Sequence, residues 1–124
     1  MSGRIGGYRD LVVWQSAMSI AEQTYVLTRI FPREEQFGLT SQARRAAVSI
    51  AEGYGRGTRP AYSSFVRIAQ GSLKELETHL LIAVRVGFIG AAEIEPILAE
   101  ADELGRMLRS LLNKLRPNDL SPKP

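Results

Sequence analysis

Apolar residues recur along this chain at spacings of three and four, the period of a helix that turns one face to a core. The cleanest run is Ile94, Ile97, Ala101, Leu104, Leu108, Leu111 and Leu115. Near the start, Leu11, Trp14, Met18, Ala21 and Tyr25 keep the same spacing and predict a first helix with those residues on its buried face. Ala43, Ala46, Ala47 and Ile50 form a stripe of mostly small side chains, which lets a neighbouring helix approach closely. A wider stripe comes next, with Phe65, Ala69, Ser72, Leu76, His79 and Ala83 on one line and Leu73, Leu80, Val84 and Gly87 on the adjacent one.

Capping and breaking residues place the ends of these helices. Asp10 is the expected N-cap of the first, because its carboxylate accepts bonds from first-turn amides. Ile30-Phe31-Pro32 ends that helix, since the residue before proline is pushed out of the helical region. A short polar connection, Arg33 to Gly38, leads to a second helix, either capped by Thr40 or Ser41 or with Phe37 and Leu39 already in its first turn. Gly53, Gly55 and Gly57 stop it, and Pro60 suits the first turn of a third helix behind Thr58 or Arg59. Gly71, in mid-helix, costs about 1 kcal/mol relative to alanine, so a helix is expected to cross closely there. Gly87 to Gly90 makes a tight turn, and Pro117 ends the fourth helix. Its acids lie early and its bases late, which complements the helix dipole. Four amphipathic helices on short loops read as an all-α, antiparallel up-down four-helix bundle over residues 10–116. Residues 1–9 read as a flexible arm and 117–124 as a disordered tail.

The chain has 124 residues, enough for one domain with its own core. The most apolar run, Leu80 to Ile89, is about ten residues long and contains Arg85. A bilayer span needs about 20. With no signal-like N-terminus, a soluble cytoplasmic protein without membrane contact is the expectation. Cysteine is absent, which excludes disulfides and thiolate metal sites.

Charge placement says more than the net value of +3. Between Thr40 and Arg67 lie Arg44, Arg45, Arg56, Arg59 and Arg67 against Glu52 alone, a local +4. A concentrated basic zone is the footprint of a nucleic-acid or other polyanion surface. Arginines greatly outnumber lysines, and arginine grips phosphate bidentately. Tyr54 and Tyr62 flank Arg56 and Arg59 and would add stacking to single-stranded RNA. Two plainer readings compete: the arginines pair with acids of other helices or subunits, and the tyrosines pack beneath the corner. Val12, Val13, Val26 and Leu27, off the main stripe of the first helix, are expected to be exposed and to form subunit or partner contacts.

Little points to catalysis. His79 is the single histidine, one turn after Glu75, and has no second histidine or cysteine to complete a metal site. A di-iron Glu-x-x-His motif would need glutamate where Leu76 stands. Gly53-x-Gly55-x-Gly57 comes after a helix instead of a strand and lacks a following Gly-Lys-Ser/Thr, so it reads as a helix stop. No enzyme, cofactor or metal is expected.

Several segments resemble one bacterial family. They are Asp10-Leu11-Val12-Val13-Trp14-Gln15, Phe31-Pro32, Phe37-Gly38-Leu39-Thr40-Ser41-Gln42, Arg44-Arg45-Ala46-Ala47-Val48-Ser49-Ile50, Ala51-Glu52-Gly53-Tyr54-Gly55-Arg56 and Gly71-Ser72-Leu73-Lys74-Glu75-Leu76-Glu77. Their order and content are similar to the small four-helix-bundle proteins named for the intervening sequences of 23S ribosomal RNA. The likeness runs from about Tyr8 to Leu115. It implies a homopentamer with a basic surface that binds RNA or DNA. It also implies a kinship with accessory proteins of diversity-generating retroelements, which bind a reverse transcriptase, and it implies no enzymatic activity. One departure stands out: about four residues of a Pro-x-Asn-Ile kind, usual in the family between Ser-Ile and Ala-Glu-Gly, are missing after Ile50. Their loss shortens the second helix by about 6 Å, rotates the downstream residues by roughly 40° and removes a proline kink.

Overall fold

The computed structural model describes residues 8–52 and 59–114, with side chains from 11 to 52 and from 64 to 114. It contains four helices: α1 (Tyr8–Thr28), α2 (Leu39–Glu52), α3 (Arg59–Arg85) and α4 (Ala91–Lys114). Each packs on the next, and α4 returns to α1, which closes an antiparallel up-down bundle. The arm before Tyr8, the glycine corner and the tail after Lys114 lie outside the described residues. Among those described, no helix is long and apolar enough to cross a membrane.

The core carries the stripes of α3 and α4 much as their period predicts. Phe65, Ala69, Ser72, Leu73, Leu76, Leu80 and Ala83 of α3 are buried, as are Ile94, Ile97, Leu104 and Leu108 of α4. Helix α2 contributes Ala43, Ala46, Ala47 and Ile50.

Helix α1 turns the other way from the expectation. Its buried residues are Val13, Ala17, Ile20, Thr24 and Thr28, whereas Leu11, Met18 and Tyr25 are exposed. A search for apolar residues passes over the true face because that face ends in two threonines. Burial of a hydroxyl is costly only when it lacks a partner. Here Thr24 Oγ1 donates to the Ile20 carbonyl at 2.8 Å and Thr28 Oγ1 to that of Thr24 at 2.7 Å. Of the four residues expected to be exposed on α1, Val26 is; Val12 and Leu27 are half-buried, and Val13 is in the core. On the α4 side, Glu100 accepts hydrogen bonds from Ser16 Oγ (3.2 Å), Ser19 Oγ (2.9 Å) and Gln23 Nε2 (2.7 Å), a polar clamp between first and last helices.

The helix ends also depart from the sequence reading. Helix α1 begins two residues before Asp10, which therefore lies in its first turn and is not its cap. Helix α2 is capped from outside: Gly38 accepts its first backbone bond, from Gln42, and the Glu35 carboxylate takes the Leu39 amide at 2.9 Å. Thr40 and Ser41 instead sit inside the helix. Glu35 belongs to a short 3-10 turn, Arg33–Glu35, within the polar connection. At the far end of α3, the Phe88 amide bonds the Ala83 carbonyl (2.9 Å) and the Gly87 amide that of Val84 (3.1 Å), with Gly87 at φ 88°. This is the Schellman stop, in which a left-handed residue satisfies the last carbonyls. Phe88 then meets Phe31 with ring centroids 5.9 Å apart, joining the two loops at this end of the bundle. Glu93 reaches back to the Gly90 amide at 2.7 Å to open α4, the return half of a capping box.

Gly71 does not mark a helix crossing. It is exposed, and no atom lies within 4 Å of where a Cβ would stand.

Two substitutions test this framework by urea denaturation. Gly87→Ala is expected to cost about 1–2 kcal/mol, because an L-residue is forced into the left-handed region. Glu35→Ala is expected to cost about 1 kcal/mol through loss of the α2 cap.

Candidate nucleic-acid interface

Burial of Ala43, Ala46, Ala47 and Ile50 fixes the rotation of α2, and Arg44 and Arg45 fall on opposite flanks of that stripe. Arg44 leans onto α1. Its Nε donates to Thr28 Oγ1 at 2.8 Å, and its guanidinium carbon lies 4.6 Å from the Tyr25 ring centroid. A cation over an aromatic face adds attraction of about 0.5–1 kcal/mol at such a partly open site. Thr28 thus accepts from Arg44 while donating to Thr24, and the arginine becomes a strut between two helices.

Arg45 points outward and, among the described residues, makes no hydrogen bond or ion pair. It edges a polar groove of about 750 Å³. Gln42, Arg45, Ser49 and Glu52 supply the α2 wall at helical spacing, and Glu75 and His79 supply the α3 wall. Ser72 Oγ donates to Ser49 Oγ at 2.9 Å across the helix contact. His79 Nδ1 is enclosed and meets no hydrogen-bond partner in the described structure. Arg44 and Tyr25 border the groove on the α1 side. Two arginines therefore face two glutamates, because Glu75 arrives from α3. The linear count, with Glu52 as the one opposing acid, missed that neighbour. The spacing of residues 42, 45, 49 and 52 was readable as one helix row; its pairing with residues 75 and 79 needed the tertiary contact.

The other arginines are not gathered here. Arg67 lies on the outward row of α3 with Gly71, Lys74 and Thr78, a different row from that of Glu75 and His79. The side chain of Arg59 and all of Arg56 lie outside the described residues, as do Tyr54 and Tyr62 as side chains. Among the described residues, no group of three or more His, Cys, Asp or Glu is placed to hold a metal ion.

A second groove, of about 710 Å³ and largely apolar, runs between α1 and α2. Trp14, Met18, Ala21 and Tyr25 line it from α1, with Val48 and Ala51 from α2. The stripe expected in the core is therefore a surface.

Over its described residues the chain is a small all-α protein of the four-helix-bundle class. Within that class, the model of the 23S rRNA-intervening sequence proteins matches residues 9–110, and the chain belongs to that family. A crystal structure at 1.70 Å of a protein of unknown function from the S23 ribosomal protein family of Bacteroides thetaiotaomicron shares the fold. It superimposes with a TM-score of 0.73 at 22% identity, over 84% of this chain and 94% of that one. No match is found among curated proteins.

The two adjacent arginines are expected to behave differently. Arg44→Ala should lower stability by about 1–2 kcal/mol, since it removes a charged hydrogen bond to a buried threonine. Arg45→Ala should stay within about 0.5 kcal/mol of the parent. Denaturant midpoints measured side by side decide this.

Proposed function

We propose that this chain is a non-catalytic, oligomeric nucleic-acid-binding protein, with RNA as the favoured ligand, working in the cytoplasm. The observation that carries the reading is Arg45. It stands exposed and unpaired among the described residues, at the edge of a polar groove, with Arg44 held beside it. A guanidinium free of carboxylate partners keeps its fork of donors for phosphate. Arg44 has its Nε committed to Thr28, so its contribution is its charge and its hold on α1. Arg56, Arg59 and Arg67 are the further phosphate contacts suggested by the sequence; of these Arg67 stands on a different row of α3 from the groove, and the side chains of the other two lie outside the described residues. Repetition around a homopentamer would multiply a modest charge into a continuous surface.

A second reading has its own support. The outward apolar stripe of α1 suits a protein partner, as an adaptor or accessory subunit of a reverse transcriptase would require. Salt separates the two, because phosphate contacts release counterions and apolar contacts do not.

The test is binding of a fluorescent structured RNA and a matched duplex DNA across a salt series. Affinity is expected to fall steeply with salt. Arg45→Ala should reduce the log–log slope by about 0.7–0.9 for each subunit in contact, with folding unchanged. Failure to bind either nucleic acid at low salt would overturn the reading and turn the search to a protein partner.

A further inference from the structure

The polar groove between α2 and α3 is bordered by side chains whose hydrogen-bonding capacity the chain leaves unused. Ser72 Oγ meets Ser49 Oγ at 2.9 Å and fixes the register of these two antiparallel helices. One turn toward the start of α2 and the end of α3, Arg45 comes level with Glu75. The next turn brings Gln42 level with His79. Arg45 and Glu75 stand on opposite walls and close no ion pair, and neither side chain bonds another described residue. On the same α3 wall, His79 Nδ1 is the one enclosed side-chain polar atom left without a partner among the described residues. Such an atom is costly to keep and calls for an explanation.

The volume of about 750 Å³ lies in the ordinary range of small-ligand sites. A ligand that bridges its walls must offer an anion to Arg45 and hydrogen donors to Glu75. A carboxylate only accepts, and its two oxygens suit two parallel donors. Guanine is the nucleobase that presents two, N1–H and the N2 amino group, side by side. Adenine and cytosine set a ring acceptor beside a single amino group, and uracil sets its one N–H between two carbonyls. A cationic ligand, such as an arginine-bearing peptide, would match Glu75 but would face Arg44 and Arg45 on the other side. A guanine nucleotide matches both walls.

We infer that this groove takes an unpaired guanine nucleotide: Arg45 holds its phosphate, and the Glu75 carboxylate accepts from N1–H and the N2 amino group. Gln42, one turn along, supplies an amide N–H for the O6 carbonyl. Arg44, fixed by Thr28 and the Tyr25 ring, offers a planar cation against which a base can stack. The inference rests on the nucleic-acid reading and gives it a base preference, since unpaired bases are read on these edges.

The test uses fluorescent RNA hairpins with one stem and a uridine loop that carries a single guanosine, inosine, adenosine or cytidine. The guanosine loop is expected to bind at least about ten-fold more tightly than the uridine loop. Inosine, which lacks the amino group, should fall between them. Glu75→Gln should abolish the preference and keep the salt dependence. Glu52→Gln removes the same charge on the far side of the Ser49–Ser72 contact and should leave the preference intact. In a second arm, guanosine monophosphate competes against the labelled hairpin and binds in isolation, which separates a strand from a free nucleotide as the source of the base. Binding of the nucleotide without any loop would keep the guanine site and overturn the RNA reading. Equal, salt-sensitive binding of all loops would overturn the guanine site and leave the RNA reading standing, as would a Glu75→Gln variant that tightens every loop alike. Capture of an arginine-bearing peptide, with no response to loops or nucleotide, would overturn both, as would no binding of any probe.

Discussion

Two buried threonines decide which side of α1 faces the bundle. Thr24 and Thr28 each return a hydroxyl hydrogen to the carbonyl one turn back, so they enter the core without an unsatisfied polar group. With Val13, Ala17 and Ile20 they form a face of modest volume that suits close packing against the alanines of α2. The bulkier Leu11, Met18 and Tyr25 are thereby displaced outward, with Trp14 half-buried beside them. Had those larger side chains been buried, α1 would stand farther from α2, and Arg44 would not reach Thr28.

That strut links the fold to the candidate site. Thr28 Oγ1 is donor to α1 and acceptor from α2, so the α1 rotation, the α2 rotation and the place of Arg44 are settled together. Arg45 falls on the other flank and is left to the solvent. Neighbours in sequence therefore divide the work, with one arginine holding two helices and the other facing a groove. Across the bundle, the Glu100 clamp holds α1 against α4 through Ser16, Ser19 and Gln23 and keeps the outward stripe pointing outward.

Much of the fold was legible in the sequence where a helix has a single apolar face. The stripes of α3 and α4, the turn at Gly87 and the bundle class all came from period and punctuation. Helix α1 was not legible that way, because it is apolar on two sides and the larger side chains lie on the outer one. Caps were misplaced where the partner came from outside the helix: Glu35 reaches the Leu39 amide from a preceding turn, a contact that local spacing does not reveal. The candidate site was half readable. Arg44 and Arg45 stood out by charge, but their different roles depend on Thr28 and Glu75, which are 16 and 30 positions away in sequence. Gly71 is costly in a helix interior, and no neighbouring helix of the chain crosses closely there to compensate.

Trp14 is the single tryptophan of the chain and lies in the outward stripe, so its fluorescence reports directly on whether this stripe is a contact surface. Acrylamide quenching of Trp14 would be followed through a dilution series, with particle mass measured in the same samples. If copies of the chain meet through the stripe, Trp14 is shielded in the assembled protein and its quenching constant rises in step with dissociation. A quenching constant that stays level while the mass falls would contradict that role, as would a monomer with an accessible Trp14 at every concentration.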